Sequence, residues 1–167
     1  MSQQRFPMTP AGKDRLAREL DRLRRERPVI SAQIEEARAH GDLRENAEYH
    51  AAKEKQGITE ARIREYEAKL AMAQVIDPTK LSGAKIRFGA TVTLLETATE
   101  KQLKYSIVGE DEADFKVGLL NYLSPIARGL LGKDEGDDVE INTGAGNRSF
   151  EILKVEYVEI LLPSKDG

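Results

Sequence analysis

The chain has 167 residues, of which 33% are charged and only 5% aromatic, and it contains no cysteine, so disulfides and thiolate metal sites are excluded. Its net charge of −3 argues against wholesale coating of nucleic acid. No apolar run approaches the roughly 18 residues of a membrane helix, and the start MSQQRFPMTPAGKD lacks the apolar core of a signal peptide, so we expect a cytoplasmic protein without a membrane partner.

The first predicted element is a long helix. Thr9 is a favourable N-cap, and Pro10 suits the first helical position, where its missing N–H costs nothing. A heptad seam then runs through Leu16, Leu20, Leu23, Arg27, Ile30, Ile34 and Ala37. Pro28 interrupts this pattern without changing its phase, so the sequence predicts one kinked helix that extends to about Gly41.

A second helix is predicted over residues 47–76, after the short segment HGDLRENAEY. Its seam residues are Tyr49, Ala52, Gln56, Thr59, Ile63, Tyr66, Leu70 and Ala73. Two helices of this length joined by a short turn make an antiparallel coiled-coil hairpin about 45 Å long. Six arginines between Arg15 and Arg27 are predicted to lie on solvated helix faces, paired with Glu19, Asp21 and Glu26.

Beyond a linker over residues 78–84, the apolar period changes from helical spacing to alternation. The segments KIRFGATVTLLET, KQLKYSIVG, DDVEINT and RSFEILKVEYVEI predict β-strands. Between them, SPIARGLLGK predicts a short helix with Ser124 as N-cap and Pro125 at its first position. The expected fold class is therefore α+β, with a hairpin over 1–77, a sheet domain over 85–160 and a tail over 161–167.

The turn between the two long helices concentrates charge, and two interpretations stay open for Asp42 and Glu45. In the simpler one they form a capping box, with Asp42 as N-cap and Glu45 at N3 of the second helix. In the other, two carboxylates on the same face at the end of a stiff rod supply ligands for Mg2+. Two carboxylates alone bind Mg2+ weakly, so the ion would be shared with another macromolecule's active site.

Several segments together carry a family resemblance over about residues 5–158. HGDLRENAEYHAAKEKQG, AKLAMAQVIDPTKLSG, FGATVTLLE, SIVGEDEADFK and SPIARGLLGK resemble, in this order, the Gre family of bacterial transcript-cleavage factors. The resemblance implies an N-terminal coiled-coil hairpin and a C-terminal FKBP-like antiparallel sheet domain with one short helix. It also implies a monomer that binds bacterial RNA polymerase at the secondary channel.

The implied activity is stimulation of the polymerase's own cleavage of the nascent RNA 3′ end in backtracked complexes, so the chain would not itself be an enzyme. The resemblance places Asp42 and Glu45 as catalytic tip residues that help hold the second Mg2+, an ion the free protein does not bind stably. It places Arg38 and Lys53 against the RNA. Implied polymerase-docking residues are Asp111, Glu112, Asp114, Ser124, Pro125 and Ile126.

Two alternative functions compete with this one. A non-cleaving homologue would occupy the polymerase channel on the same scaffold, but the intact Asp42 and Glu45 pair argues against it. A peptidyl-prolyl isomerase is suggested by the FKBP-like domain. Its site would need an aromatic-lined pocket, whereas residues 81–160 contain six aromatic residues and no tryptophan.

Overall fold

The computed structural model describes residues 5–41 and 46–163, which form two compact units. Residues 14–41 and 46–72 are called the helical unit here, and residues 5–13 together with 73–163 the sheet unit. The predicted boundary after residue 77 differs from this division, because residues 5–13 and 73–77 pack with the second half of the chain.

Two long helices build the hairpin, α1 over Pro10–Arg38 and α2 over Ala47–Ala71. Helix α1 continues through Pro28, as the unbroken phase of the seam predicted. Thr9 caps it, since its hydroxyl oxygen accepts a hydrogen bond from the amide of Gly12 at 3.2 Å. The predicted N-cap is therefore confirmed.

The seam of the helical unit consists of two apolar clusters. One contains Leu20, Leu23 and Ile63 with Tyr66 and Leu70 packed against it; the other contains Ile30, Ile34 and Ala52 with Tyr49. Burial of each leucine or isoleucine contributes about 1.5–3 kcal/mol, so these few contacts supply much of the hairpin's stability. Between the clusters, Arg27 occupies a seam position but is exposed and pairs with Glu60 of α2.

Helix α2 ends earlier than predicted, at Ala71 rather than Ile76. Residues Ala73–Val75 instead form strand β2, which pairs in parallel with β1 over Phe6–Met8. The β-branched Val75 and Ile76 favour an extended chain ahead of Pro78, and the amide of Ile76 continues the pairing by donating to the carbonyl of Met8 at 2.9 Å.

The main sheet has five strands in the spatial order β5-β4-β3-β7-β6. Their bounds are Thr91–Glu96 for β3, Gln102–Val108 for β4, Leu119–Asn121 for β5, Asp138–Asn142 for β6 and Asn147–Glu156 for β7. All neighbours are antiparallel except β4 and β5. The four predicted strands are β3, β4, β6 and β7, while β5 is too short to give an alternation signal.

Helix α3 over Pro125–Leu130 completes the sheet unit and contributes to its core. Its N-cap is Ser124, whose hydroxyl accepts from the amide of Ala127 at 3.3 Å, as predicted. Gly129 lets the helix approach β6 closely, because a Cβ there would lie 2.6 Å from Cγ1 of Ile141. The predicted α+β fold class, a helical hairpin followed by a mostly antiparallel sheet with one short helix, is confirmed.

No helix within residues 5–41 and 46–163 is long and apolar enough to cross a membrane.

Candidate functional site

The tip of the hairpin begins at the C-terminal end of α1. After Arg38 the backbone hydrogen bonds span three residues instead of the four of an α-helix. The amide of His40 donates to the carbonyl of Ala37 at 3.2 Å, and the amide of Gly41 donates to the carbonyl of Arg38 at 3.4 Å. Gly41 has φ 107°, a left-handed conformation that side chains other than glycine's rarely adopt. The chain therefore leaves α1 at a glycine-dependent bend.

On the other side of the tip, Asn46 is the N-cap of α2. Its Oδ1 accepts a hydrogen bond from the amide of Tyr49 at 3.0 Å, the usual N-cap to N3 contact. Its Nδ2 donates to the carbonyl oxygen of Ala37 at 2.5 Å, in the last turn of α1. One side chain thus links the end of one helix to the start of the next.

The two acidic residues at the centre of the prediction, Asp42 and Glu45, lie outside the described residues. The capping-box hypothesis for them is nevertheless wrong, because α2 begins at Ala47 and its N-cap is Asn46. The sequence already contained this signal, since asparagine is among the best N-cap residues.

Arg38 and Lys53, the predicted RNA contacts, are both exposed. The guanidinium of Arg38 lies 3.3 Å from Glu35, one turn earlier on the same helix, and its side chain is 53% exposed. Nζ of Lys53 donates to the side-chain oxygen of Gln56 at 3.3 Å. These contacts are surface ones, worth little in water, so both cations are available to an anionic ligand.

Ion pairs of two kinds involve Arg22, Arg24, Arg25 and Arg27, among the arginines from Arg15 to Arg27. Arg22 pairs with Glu19 and Glu26, and Arg25 pairs with Asp21, all within α1 as predicted. Two pairs that the sequence analysis missed cross the hairpin: Arg24 with Glu67 at 3.0 Å and Arg27 with Glu60 at 2.7 Å. Each of these pairs joins a side chain of α1 to a side chain of α2.

The pair of Arg27 and Glu60 is bidentate, with a second contact at 2.8 Å between Nη2 and Oε2. Hydrogen bonding to Glu60 raises the pKa of the Arg27 guanidinium, and the same contact lowers the pKa of the Glu60 carboxyl. Both side chains are partly exposed, so the pair sets geometry more than it adds stability.

Glu112, predicted to dock on polymerase, is instead an internal residue of the sheet unit. It is only 3% exposed, and Oε1 accepts hydrogen bonds from the amide of Thr9 at 2.8 Å and from the Thr9 hydroxyl. Oε2 accepts from the amide of Gly109 at 2.6 Å. Because these donors occupy both oxygens below the surface, Glu112 is removed from the docking set.

Backbone from two segments of the sheet unit packs closely around the carboxylate of Glu112. A Cβ at Gly12 would lie 1.9 Å from Oε1 of Glu112, and a Cβ at Gly109 would lie 2.5 Å from the carbonyl oxygen of Pro7. Two glycines are therefore needed for the start of α1 to reach the carboxylate. The contact anchors the first turn of α1 within the sheet unit.

The other predicted docking residues divide by exposure. Ile126 is 7% exposed and belongs to the core of the sheet unit, so it too is removed from the surface set. Ser124 and Asp114 are half-buried N-caps, of α3 and of a 3-10 turn over Phe115–Val117. Pro125 and Asp111 are exposed. Exposed apolar side chains nearby, which the sequence analysis missed, are Phe115, Val117 and Leu123.

Within the described residues, no group of three or more His, Cys, Asp or Glu side chains is arranged to hold a metal ion.

Comparison with known proteins identifies the family. The chain is 57% identical over 155 residues to "Transcription elongation factor GreA" of Ruegeria pomeroyi, covering 92% of this chain and 99% of that protein. The chain belongs to the GreA/GreB family. Residues 6–75 match the family model described as "Transcription elongation factor, N-terminal", and residues 81–157 match "Transcription elongation factor, GreA/GreB, C-term".

A second GreA/GreB relative, "Transcription elongation factor GreA" of Vibrio vulnificus, is 56% identical with the same coverage of both chains. A crystal structure of GreA factor homolog 1 (Gfh1) of Thermus thermophilus is 26% identical over 92% of this chain and 99% of its own, with a TM-score of 0.42. The family assignment does not depend on that structural overlap. The resemblance inferred from the motifs is confirmed.

Proposed function

We propose that this chain binds bacterial RNA polymerase at its secondary channel and stimulates the polymerase's own cleavage of backtracked nascent RNA. Membership of the GreA/GreB family, with matches in both halves of the chain, supports a role as a transcription elongation factor. In this proposal the chain is an accessory to the polymerase and not an enzyme itself. It returns arrested complexes to elongation by supplying groups that the polymerase lacks.

The observation that carries the cleavage role is the capping of α2 by Asn46. Because the side chain of Asn46 makes the N-cap contact with the amide of Tyr49, neither Asp42 nor Glu45 is required as the N-cap of α2. Their chemistry fits Mg2+, which prefers hard oxygen ligands and binds through one or two protein carboxylates. Asp42 would help hold the second Mg2+, and Glu45 would position that ion or the attacking water.

Bound Mg2+ would lower the pKa of a coordinated water and neutralise charge on the phosphate that is attacked. The chain's own contribution is to carry two anionic side chains at the end of a long hairpin. No pocket is required of the factor, since the polymerase supplies the remaining ligands and the RNA. Because the polymerase supplies the rest of the site, we expect the chain alone not to cleave free RNA.

Arg38 and Lys53 supply the complementary charge. Arg38 is the last residue of α1, and Lys53 lies in the second turn of α2, so they flank the tip on both helices. Their exposed cationic ends are suited to the phosphates of the extruded RNA 3′ end. We propose that they hold the RNA while the tip carboxylates act.

The sheet unit is proposed to dock at the rim of the channel. Of the residues first assigned to this surface, Asp111, Asp114, Ser124 and Pro125 remain. The burial of Glu112 and Ile126 supports leaving both out of it. Because Asp114 caps a 3-10 turn and Ser124 caps α3, alanine variants at either position alter the local backbone as well as the surface.

The test is RNA cleavage in a defined backtracked bacterial elongation complex. We expect the wild-type chain to shorten the RNA 3′ end, and Asp42→Ala and Glu45→Ala to cleave roughly 10–100-fold more slowly at saturating factor. Glu48→Ala, which removes an exposed carboxylate from the first turn of α2, is the matched control and should cleave normally. All four proteins should compete equally for the channel.

Binding without cleavage by the wild-type chain would instead identify a channel-blocking homologue. Normal cleavage by both tip variants would refute the role of the carboxylates. A peptide isomerisation assay on the free chain separates the remaining alternative, because the proposal predicts no activity above background.

A further inference from the structure

We propose that Asn46 is a positioning residue for the acidic tip, which it holds by joining the two helices at their adjoining ends. The inference rests on the proposed function, because the benefit of a fixed tip is cleavage by polymerase. The observation behind it is the pair of hydrogen bonds made by a single amide side chain. Oδ1 accepts from α2 while Nδ2 donates to α1.

The two bonds match the electrostatics of the helix ends. The start of α2 exposes amide groups and is electropositive, whereas the end of α1 exposes carbonyl groups and is electronegative. An asparagine amide has an oxygen for the first and an N–H for the second. Its dipole is therefore aligned between the two helices, and no aspartate or serine at the N-cap would satisfy both in this geometry.

The bridge also closes the connection between the helices. Ala37 is 3% exposed and part of the seam, so its carbonyl is a fixed point; it already accepts from the amide of His40 at 3.2 Å. Asn46 reaches this fixed point from nine residues further along the chain. The bridge therefore ties Ala37 to Asn46, two described residues that lie on either side of the segment with Asp42 and Glu45 in the sequence.

A connection whose ends are held together has fewer conformations than an open one. Effective catalysis needs reacting groups held close to the productive geometry, and small displacements are costly. The half of the seam nearest the tip has few large apolar contacts, because two of its buried apolar members, Ala37 and Ala52, are small and only Ile30 and Ile34 are large. Packing there is thin, so a polar bridge at the end has more influence than it would beside a larger core.

Capping and bridging can be separated by substitution. Asn46→Asp keeps an excellent N-cap and complements the positive end of α2, but its carboxylate cannot donate to the carbonyl of Ala37. Asn46→Ser also keeps a cap, adds no charge, and has its hydroxyl one bond nearer the backbone than the amide nitrogen. Ile34→Val is the matched control, since it weakens the neighbouring cluster without touching a polar contact.

The first measurement needs no polymerase. Side-chain amide exchange by NMR should show that the Nδ2 proton that Asn46 donates to Ala37 exchanges roughly tenfold or more slowly than the Nδ2 protons of the exposed Asn147, because a hydrogen-bonded N–H must open before it exchanges. In Asn46→Asp and Asn46→Ser, the amide of Tyr49 should keep its protection. Equal exchange rates at Asn46 and Asn147 would overturn the bridge, whatever the cleavage assay shows.

The second measurement is cleavage in the backtracked complex at saturating factor, over a series of Mg2+ concentrations. We expect Asn46→Asp and Asn46→Ser to bind polymerase normally, to cleave roughly tenfold or more slowly, and to need more Mg2+ for half-maximal rate. Ile34→Val should match the wild type at saturation. A merely structural role would alter the factor concentration needed, not the saturated rate or its Mg2+ dependence.

The outcomes separate the two proposals. Wild-type cleavage by both Asn46 variants at saturation overturns the positioning role and leaves the proposed function intact. Failure of the wild-type chain to cleave overturns the proposed function and the positioning role together, whereas the bridge itself is still decided by the exchange measurement. Loss of cleavage in Asn46→Asp alone would assign the effect to added charge and overturn positioning.

Discussion

Replacing Glu112 by glutamine changes one atom of a buried side chain, and we expect it to destabilise the sheet unit strongly. The carboxylate accepts three hydrogen bonds from two backbone amides and one hydroxyl, at Thr9 and Gly109. Glutamine has one acceptor oxygen and one N–H2 group. If its oxygen keeps the two bonds to Thr9, its N–H2 faces the amide of Gly109, donor against donor.

The magnitude follows from the bonds that are lost. A hydrogen bond to a charged group contributes about 1.5–3 kcal/mol, and a buried donor without a partner costs about 1–3 kcal/mol. Because these terms describe overlapping losses at Gly109, we expect a total of about 2–4 kcal/mol for Glu112→Gln. For a unit of this size, that corresponds to a fall of roughly 10–25 °C in its melting temperature.

The assay must separate the two units, because one transition does not describe a chain that contains both. Hydrogen exchange followed by mass spectrometry reports the protection of the sheet unit and the helical unit in the same sample. The control is Glu110→Gln, an exposed glutamate in the same loop, for which we expect no measurable change. A Glu112→Gln variant that melts within a few degrees of wild type, with Gly109 still protected, would refute the reasoning.

Three further changes test the packing and the charges. Ile63→Ala, at a fully buried seam position, should cost the helical unit about 2–5 kcal/mol, whereas Ile58→Ala, 51% exposed, should cost less than about 0.5 kcal/mol in urea unfolding. Gly118→Ala should destabilise the sheet unit by roughly 1–2 kcal/mol, since φ is 81° there; an unchanged melting curve would contradict this. Hydrogen bonding to Arg148 lowers the pKa of Glu96, so Glu96 contributes stability above its unfolded pKa that is lost as pH falls through its folded pKa. Arg148→Gln should raise the Glu96 midpoint in an NMR titration and weaken this acid dependence.

Much of the fold could be predicted because its information is local. The heptad spacing predicted which faces of α1 and α2 are buried, and Ser124 followed by Pro125 predicted the start of α3. The alternation of apolar residues predicted the four longer strands. It missed β1, β2 and β5, three residues each, because strands of that length exist only through their partners.

The candidate site was predicted less completely. The motif around Asp42 and Glu45 identified the tip, and the family resemblance gave it a role, but the cap of α2 was assigned to the wrong residue. Asp111, Glu112 and Asp114 look alike in the sequence as acidic loop residues. The structure distinguishes the exposed Asp111, the cap Asp114 and the buried acceptor Glu112, whose donor at Thr9 is distant in the sequence.

The sequence by itself determined the periodic elements, the N-caps of α1 and α3 and the family, since helical and strand periods and N-cap chemistry act over a few residues. Only the tertiary structure decided which distant groups meet. Glu112 is internal because Thr9, 103 residues away, is folded against it, and Asn46 joins the helices because the hairpin returns it to the carbonyl of Ala37. A hydrogen bond needs its partner within about 3 Å, and sequence spacing alone does not specify that distance.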